Sequence, residues 1–313
     1  MNHTFKKTKF CRKGGKPEKI NKFKEYEAGK PLFFKDIKVT PYCIDHSAYD
    51  AYMLLLEAEG KRILHTGDFR MHGARGRKMP EVFKKYARNI DVLIIEGTML
   101  SRLTEKVMTE HELGAKAKKL LRENKNVFVL CSSTNIDTIA EFYGAAMANK
   151  KPFIVCYKMQ ADILKIITAA AKSNFYDFSR QKVYTYGKQL HKYMTDCGFC
   201  FMGRENSITK NAIKNFPDSL LIYSMWEDYI IKKRTATYDE YKGEFVDDAV
   251  KIGCRYLPLH TAGHATEEQL KLVCEITQAK TIIPIHSEKP EAFKSMGINA
   301  EIKVLDDGGS ITI

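Results

Sequence analysis

No stretch of this 313-residue sequence approaches the roughly 20 consecutive apolar residues that a membrane-spanning helix needs, so no membrane span is expected. Internal repeats are missing too, as is any Pro- or Ser-rich linker, which excludes a solenoid and a string of loosely tethered modules. Cysteine motifs are scarce. Cys197-Gly-Phe-Cys200 is the one CxxC, and a structural zinc needs a second ligand pair at workable spacing, so this pair reads as coincidence. The eight cysteines are otherwise scattered, mostly inside apolar runs, and read as reduced thiols of a cytoplasmic protein. Trp226, the sole tryptophan, reads as core packing rather than as a stacking platform for a base. The first thirty residues lack the apolar core of a secretory signal. They carry ten Lys/Arg against three Glu and read as basic and loosely structured, with a short helix near Lys19 to Tyr26.

What is present is a chain long enough for one large or two ordinary domains, with 44% hydrophobic and 28% charged residues. The formal net charge is +13, and a basic surface attracts polyanions such as RNA or DNA. Ile37 to Ile44 alternates as a strand, with Pro41 marking an edge or a strand end. Ala51 to Ala58 reads as a buried strand, Gly60-Lys61 as the turn and Arg62 to His65 as the return strand. Residues 79–89 read as a helix and Val92 to Ile95 as a short, fully buried strand. The pattern then changes to a helix over Thr109 to Glu123, a strand over Asn126 to Cys131, a helix from Thr138 to about Asn149 and a strand over Pro152 to Cys156. That is the βαβ signature of a parallel sheet. Helices over 159–172 and 187–197 follow, with a strand over Ser219 to Ser224. A helix over Thr266 to Thr277 precedes strands over Thr281 to Ile285, Val304-Leu305 and Ser310 to Ile313.

Polar residues recur where these strands end: His46, Asp68, Glu96, His260, His264 and His286. A lone histidine is usually structural. Recurrent placement at strand ends points instead to a metal or phosphate site, because imidazole and carboxylate are the common ligands of zinc. The turn Ser132-Ser133-Thr134, at a helix start, offers backbone N–H groups to a phosphate and equally suits plain helix capping.

The segments DHSAYDA (45–51), HTGDFR (65–70), IEGT (95–98), HTAGHA (260–265) and PIHSE (284–288) occur in that order. Together they resemble the metallo-β-lactamase fold, and more narrowly its β-CASP branch of nucleic-acid-processing hydrolases, the ribonuclease J-like proteins. The resemblance covers nearly the whole chain from about residue 30. It implies an α/β architecture, an incomplete metallo-β-lactamase αββα sandwich formed by residues 1–100 and 246–313. An inserted β-CASP-like parallel α/β domain, residues 101–245, would close over the substrate. It further implies His46, Asp68 and His286 as metal ligands, with Asp68 bridging two zinc ions. Asp68, Glu96 and His264 become the catalytic residues, His264 contacting the scissile phosphate. His260 and His264 are then candidate substrate contacts, beside the Ser132-Ser133-Thr134 turn read above as able to cradle a phosphate. The implied reaction is hydrolysis of an RNA phosphodiester by a metal-activated water.

One departure dominates. The family's leading HxHxDH motif is absent, and His3 is the sole histidine among the 45 residues before His46. Four expected ligands are thereby missing, so the expectation is an N-terminally truncated chain that binds two zinc ions weakly or not at all by itself. A missing sheet half should expose apolar strand edges and favour a homo-oligomer, or a partner that supplies the missing half. Smaller departures are Ala262, where Ser is frequent in the family, and Ser287, where Gly is usual. Three readings stay open: an RNA hydrolase impaired by the loss of HxHxDH, a non-catalytic basic nucleic-acid-binding remnant, and a metallo-hydrolase of a small molecule.

Overall fold

The structure is a computed structural model, and it describes residues 26–102, 107–185, 187–230 and 243–313. The expectations for residues 1–25 lie outside the described residues. Two compact units form. One takes the described residues up to Val107 together with Ala262–Ile313, and the other takes Met108–Thr261.

The first unit begins with β1 (Leu32–Phe34) and β2 (Ile37–Cys43), followed by β3 (Tyr52–Ala58) and β4 (Lys61–His65), all antiparallel neighbours in that order. Glu59 and Gly60 join β3 to β4, both at positive φ (50° and 74°), the two-residue turn whose twist matches that of the flanking strands. The turn thus falls one residue before the expected Gly60-Lys61, because Lys61 already pairs with Ala58. Pro41 sits within an interior strand rather than at its end. β1 pairs only with Ile37 to Val39, so Pro41 lies beyond its reach and needs no N–H on that side, while its carbonyl accepts from Gly29 N–H at 2.8 Å. Helix α1 (Met79–Tyr86) leads to β5 (Val92–Glu96), which runs parallel to β4.

The chain then enters the second unit. Helix α2 (Glu110–Glu123) starts on a reciprocal cap between Thr109 and Glu112, and β6 (Asn126–Cys131) follows. Next come α3 (Ile136–Ala148), β7 (Phe153–Val155), α4 (Lys158–Ala170), β8 (Lys182–Val183), α5 (Lys188–Cys197), β9 (Phe199–Gly203), α6 (Ser207–Asn215), β10 (Leu220–Ser224), α7 (Gly243–Ile252) and β11 (Arg255–Pro258). The six strands pair in the order β11-β10-β6-β9-β7-β8, every pair parallel. Helix α3 starts two residues before the expected Thr138 because Asn135 caps it, its side chain accepting from Thr138 N–H. Strand β9 was not anticipated. It is buried at every position, and such a run lacks the alternation that marks a half-buried strand. Cys197 is exposed at the end of α5 while Cys200 is buried in β9; all seven described cysteines are free thiols. Trp226 is partly buried, its ring edge-on to Tyr229.

Residues 246–261 belong to this second unit, so the expected return at 246 falls at 262. The reason is pairing: β11 continues the parallel sheet alongside β10. Helix α8 (Glu267–Thr277), β12 (Thr281–Ile285) and β13 (Glu301–Ile302) then complete the first sheet, in the order β1-β2-β3-β4-β5-β12-β13. Val304-Leu305 and Ser310 to Ile313 were expected to close that sheet, but Glu301–Ile302 pairs with β12 instead and the chain leaves the sheet there. The turn between them does form, with Gly309 N–H donating to the Asp306 carbonyl at 2.8 Å.

The core of the first unit lies on one face of its sheet. Met53, Leu55, Leu64, Leu93 and Ile282 pack there beneath Phe83 of α1 and Leu270 and Val273 of α8, all buried. The alternate positions Leu54, Leu56, Ile63 and Ile94 are only partly buried, and at the β1–β2 edge Phe33, Phe34 and Ile37 are exposed. No described helix is long and apolar enough to cross a membrane.

In the second unit Glu141 of α3 lies directly over Gly114 of α2, where any β-carbon would collide with its carboxylate. Burial, reinforced by the neighbouring Glu110 and Asp137, pushes the Glu141 carboxyl up to about 7. Between the unfolded value and about 7 the folded chain therefore holds a proton that the unfolded chain releases. That contribution to stability is complete at acid pH and is lost as pH rises through 7. Glu141→Gln is expected to stabilise the protein at pH 8 by about 1–2 kcal/mol and to change little at pH 4.5, as read by urea unfolding at both values.

Candidate metal centre

Strands β4, β5 and β12 are consecutive parallel neighbours, so their carboxyl ends open on the same edge of the sheet. Two of them extend past their ends by one hydrogen bond: after β4, Thr66 N–H donates to the Ile94 carbonyl at 3.0 Å, and after β5, Gly97 N–H donates to the Ile285 carbonyl at 3.1 Å. Asp68 follows β4, Glu96 ends β5, and His286 follows β12. His264 comes from the loop that leads into α8.

Among the described residues, one group of three or more potential metal donors converges: Asp68, His264 and His286, with one ligand atom from each within 4.8 Å of the others. His286 Nδ1 lies 2.9 Å from Asp68 Oδ1, and both side chains are well exposed. His286 takes a φ of +49°, a left-handed conformation costing a residue with a β-carbon about 1 kcal/mol. Thr98 holds it there, its hydroxyl donating to the His286 carbonyl at 3.1 Å.

Glu96 is fully buried beneath this group. Its carboxylate accepts from Phe69 N–H at 3.1 Å, Thr98 N–H at 3.2 Å and Ala265 N–H at 3.3 Å, and both its oxygens lie 3.2 Å from His264 Nδ1. Burial alone would raise this carboxyl. The hydrogen bonds and the facing His264 outweigh it and hold Glu96 below the usual carboxylate value. An ionised Glu96 accepts a hydrogen bond from His264 Nδ1–H, which leaves Nε2 facing away from Glu96. That is the carboxylate–histidine arrangement that orients an imidazole toward a metal.

His46 stands beside His264, ring centroids 5.9 Å apart, with Nδ1 2.9 Å from the Gly263 carbonyl. It lies outside the converging group, in which His264 stands with Asp68 and His286. Burial, helped by His264, lowers the His46 pKa, so this imidazole is neutral. His260 follows β11 in the other unit, partly buried. The Ser132-Ser133-Thr134 turn lies in that unit too, between β6 and α3. Its hydroxyls are engaged locally: Ser132 Oγ is 3.0 Å from Thr134 Oγ1, and Ser133 Oγ is 3.0 Å from the Tyr157 hydroxyl.

One carboxylate and two imidazoles make a donor set of the kind that suits zinc. Sequence reasoning missed the residues that hold this set together. Arg70 stands at the end of the HTGDFR segment, but nothing in the sequence marks it, His72 or Gln269 as holding residues, although Arg70 and His72 lie just beyond Asp68.

The two sheets, one mixed and one wholly parallel, define an α/β protein and are consistent with a metallo-β-lactamase-like fold. In keeping with this, a protein of unknown function from Enterococcus faecalis superposes on 96% of this chain and 68% of its own, with a TM-score of 0.70 at 20% identity. In sequence the chain is similar to ribonuclease J of Mycoplasma genitalium, 25% identical over 301 residues, covering 90% of this chain and 50% of that protein. The Mycoplasma pneumoniae ribonuclease J is 25% identical over 310 residues (87% and 50%), and that of Helicobacter pylori 20% over 334 residues (93% and 45%). The chain thus spans about half the length of the curated relatives it matches. No family model matches it.

Proposed function

We propose that this chain is a metal-dependent hydrolase of RNA phosphodiester bonds, with one zinc ion held by Asp68, His264 and His286. The convergence of those three donors, with His264 oriented by the buried Glu96, is the observation that carries the reading. The similarity to ribonuclease J and the net charge of +13 support RNA as the substrate. A divalent cation at this position supplies Lewis-acid activation of water and neutralises charge that develops on the phosphoryl group. The protein's own part is to hold the site. Glu96 keeps His264 in one tautomer, Thr98 fixes the His286 backbone, and neutral His46 flanks His264 with its Nδ1 anchored on Gly263. Three donors suffice for one ion and leave a second ion poorly held, since the sequence contains no HxHxDH.

The test is a pair of assays on the purified chain: zinc bound per chain, and cleavage of end-labelled single-stranded RNA with and without a chelator. One zinc, with cleavage that the chelator abolishes, is the expected result. RNA binding that weakens with salt and brings no metal-dependent cleavage would favour instead the non-catalytic RNA-binding protein, which the same charge supports.

A further inference from the structure

The loop Ala262-Gly263-His264-Ala265 delivers His264, and side chains hold its backbone at three polar groups, the Ala262 and Gly263 carbonyls and Ala265 N–H. The Ala262 carbonyl takes two donors, Arg70 Nη1 at 3.0 Å and His72 Nε2 at 2.7 Å. The Gly263 carbonyl lies against His46, and Ala265 N–H donates to Glu96. Arg70 is completely buried and His72 nearly so. Both come from the turn just beyond Asp68, so one short segment supplies a proposed ligand and the clamp on another.

The proton on His72 is placed by a relay. Gln269 Oε1 accepts from Met71 N–H at 3.0 Å and from Thr266 N–H at 3.4 Å, which fixes the direction of its amide. Its Nε2 therefore faces His72 Nδ1, at 3.3 Å, and donates to it. With Nδ1 an acceptor, the His72 proton resides on Nε2 and is donated to the Ala262 carbonyl. The ring is neutral, burial with the nearby Arg70 guanidinium lowering its pKa to about 4.

We infer that His72 is a positioning residue for the metal centre: with Arg70 it pins the Ala262 carbonyl and so fixes where His264 presents its ring. This rests on the reading of Asp68, His264 and His286 as metal donors. His72 touches neither substrate nor metal and acts through the loop alone.

The experiment compares the wild type, His72→Ala, His72→Gln and Gln269→Glu in three measurements. These are zinc affinity by chelator competition, the His264 ring signal in NMR spectra of the metal-free protein (assigned by its loss in His264→Gln), and thermal unfolding without metal. His72→Ala is expected to weaken zinc binding by about 10- to 100-fold, the range for losing a partner one step removed from a metal. It should also shift and broaden the His264 signal. His72→Gln, whose amide again offers a donor to the Ala262 carbonyl, should restore both. A folded His72→Ala with unchanged zinc affinity and an unchanged His264 signal overturns the inference, whatever its melting temperature. Should His72→Ala fail to fold, Gln269→Glu reads the same signals. It keeps the oxygen that serves Met71 and Thr266 and replaces only the donor to His72, so an unmoved His264 signal there also overturns the inference. A wild type that binds no zinc would remove the metal reading, and the His264 signal of the metal-free variants would still decide the role of His72.

Discussion

Asp68→Asn is expected to cost the chain its zinc, lowering affinity at least 100-fold, while the metal-free protein melts within a degree or two of the wild type. The two halves of that expectation have separate causes. Asp68 supplies the one anionic donor of the converging group, and Asn offers a neutral oxygen that binds zinc poorly. Its loss should exceed the roughly 10- to 100-fold that follows removal of a residue behind a ligand. Asp68 and His286 are well exposed, so losing their mutual contact removes little buried structure. His286→Ala should behave alike. Zinc content measured after purification in zinc, with calorimetric titration of the stripped protein, checks both. Full occupancy in either variant would mean that these side chains hold no metal.

The second large effect is on stability. Glu96→Gln is expected to destabilise the fold by about 4 kcal/mol even without metal, read from the urea midpoint at constant slope. Glu96 is fully buried, and its two oxygens serve Phe69, Thr98, Ala265 and His264. A Gln of the same shape keeps one oxygen and turns an NH2 group toward donors that need an acceptor. Hydrogen bonds to a buried charged group contribute about 1.5–3 kcal/mol each, and an unsatisfied buried donor costs about 1–3 kcal/mol. Loss of zinc binding should accompany the loss of stability, because the same carboxylate orients His264. A variant as stable as the wild type would show that Glu96 is not the ionised hub of the site.

Much of the architecture was legible in local pattern. The apolar runs of β5, β6, β10 and β12 stand where they were read, because a short buried run bounded by polar residues has few other uses. The helices read from Thr109 and from Thr266 begin there, each on a Thr cap with Glu or Gln three residues later. The misreadings share a cause, which is pairing with a distant partner. Pro41 is not a strand end, but it does stand at a local edge, because β1 stops short of it and only β3 pairs there. Residues 255–258 looked like part of the returning core and instead pair with β10. Val304-Leu305 has a strand's composition, yet the sheet edge is taken by Glu301–Ile302.

By itself the sequence marked candidates for metal or phosphate chemistry by their placement at strand ends or in the loop just past one: His46, Asp68, Glu96, His260, His264 and His286. It determined the parallel character of the second sheet through its alternation of strands and helices. Only the tertiary structure decided which donors meet. Asp68, Glu96 and His286 become neighbours because β4, β5 and β12 lie side by side, and β5 and β12 are separated in the chain by the entire second unit. Nothing in local spacing encodes that adjacency. It also decided that His264 joins the group while His46 flanks it, and that His72, unremarkable in the sequence, holds the loop from behind. Hydrogen bonds between groups far apart in the chain set those roles, and they exist only once the fold has closed.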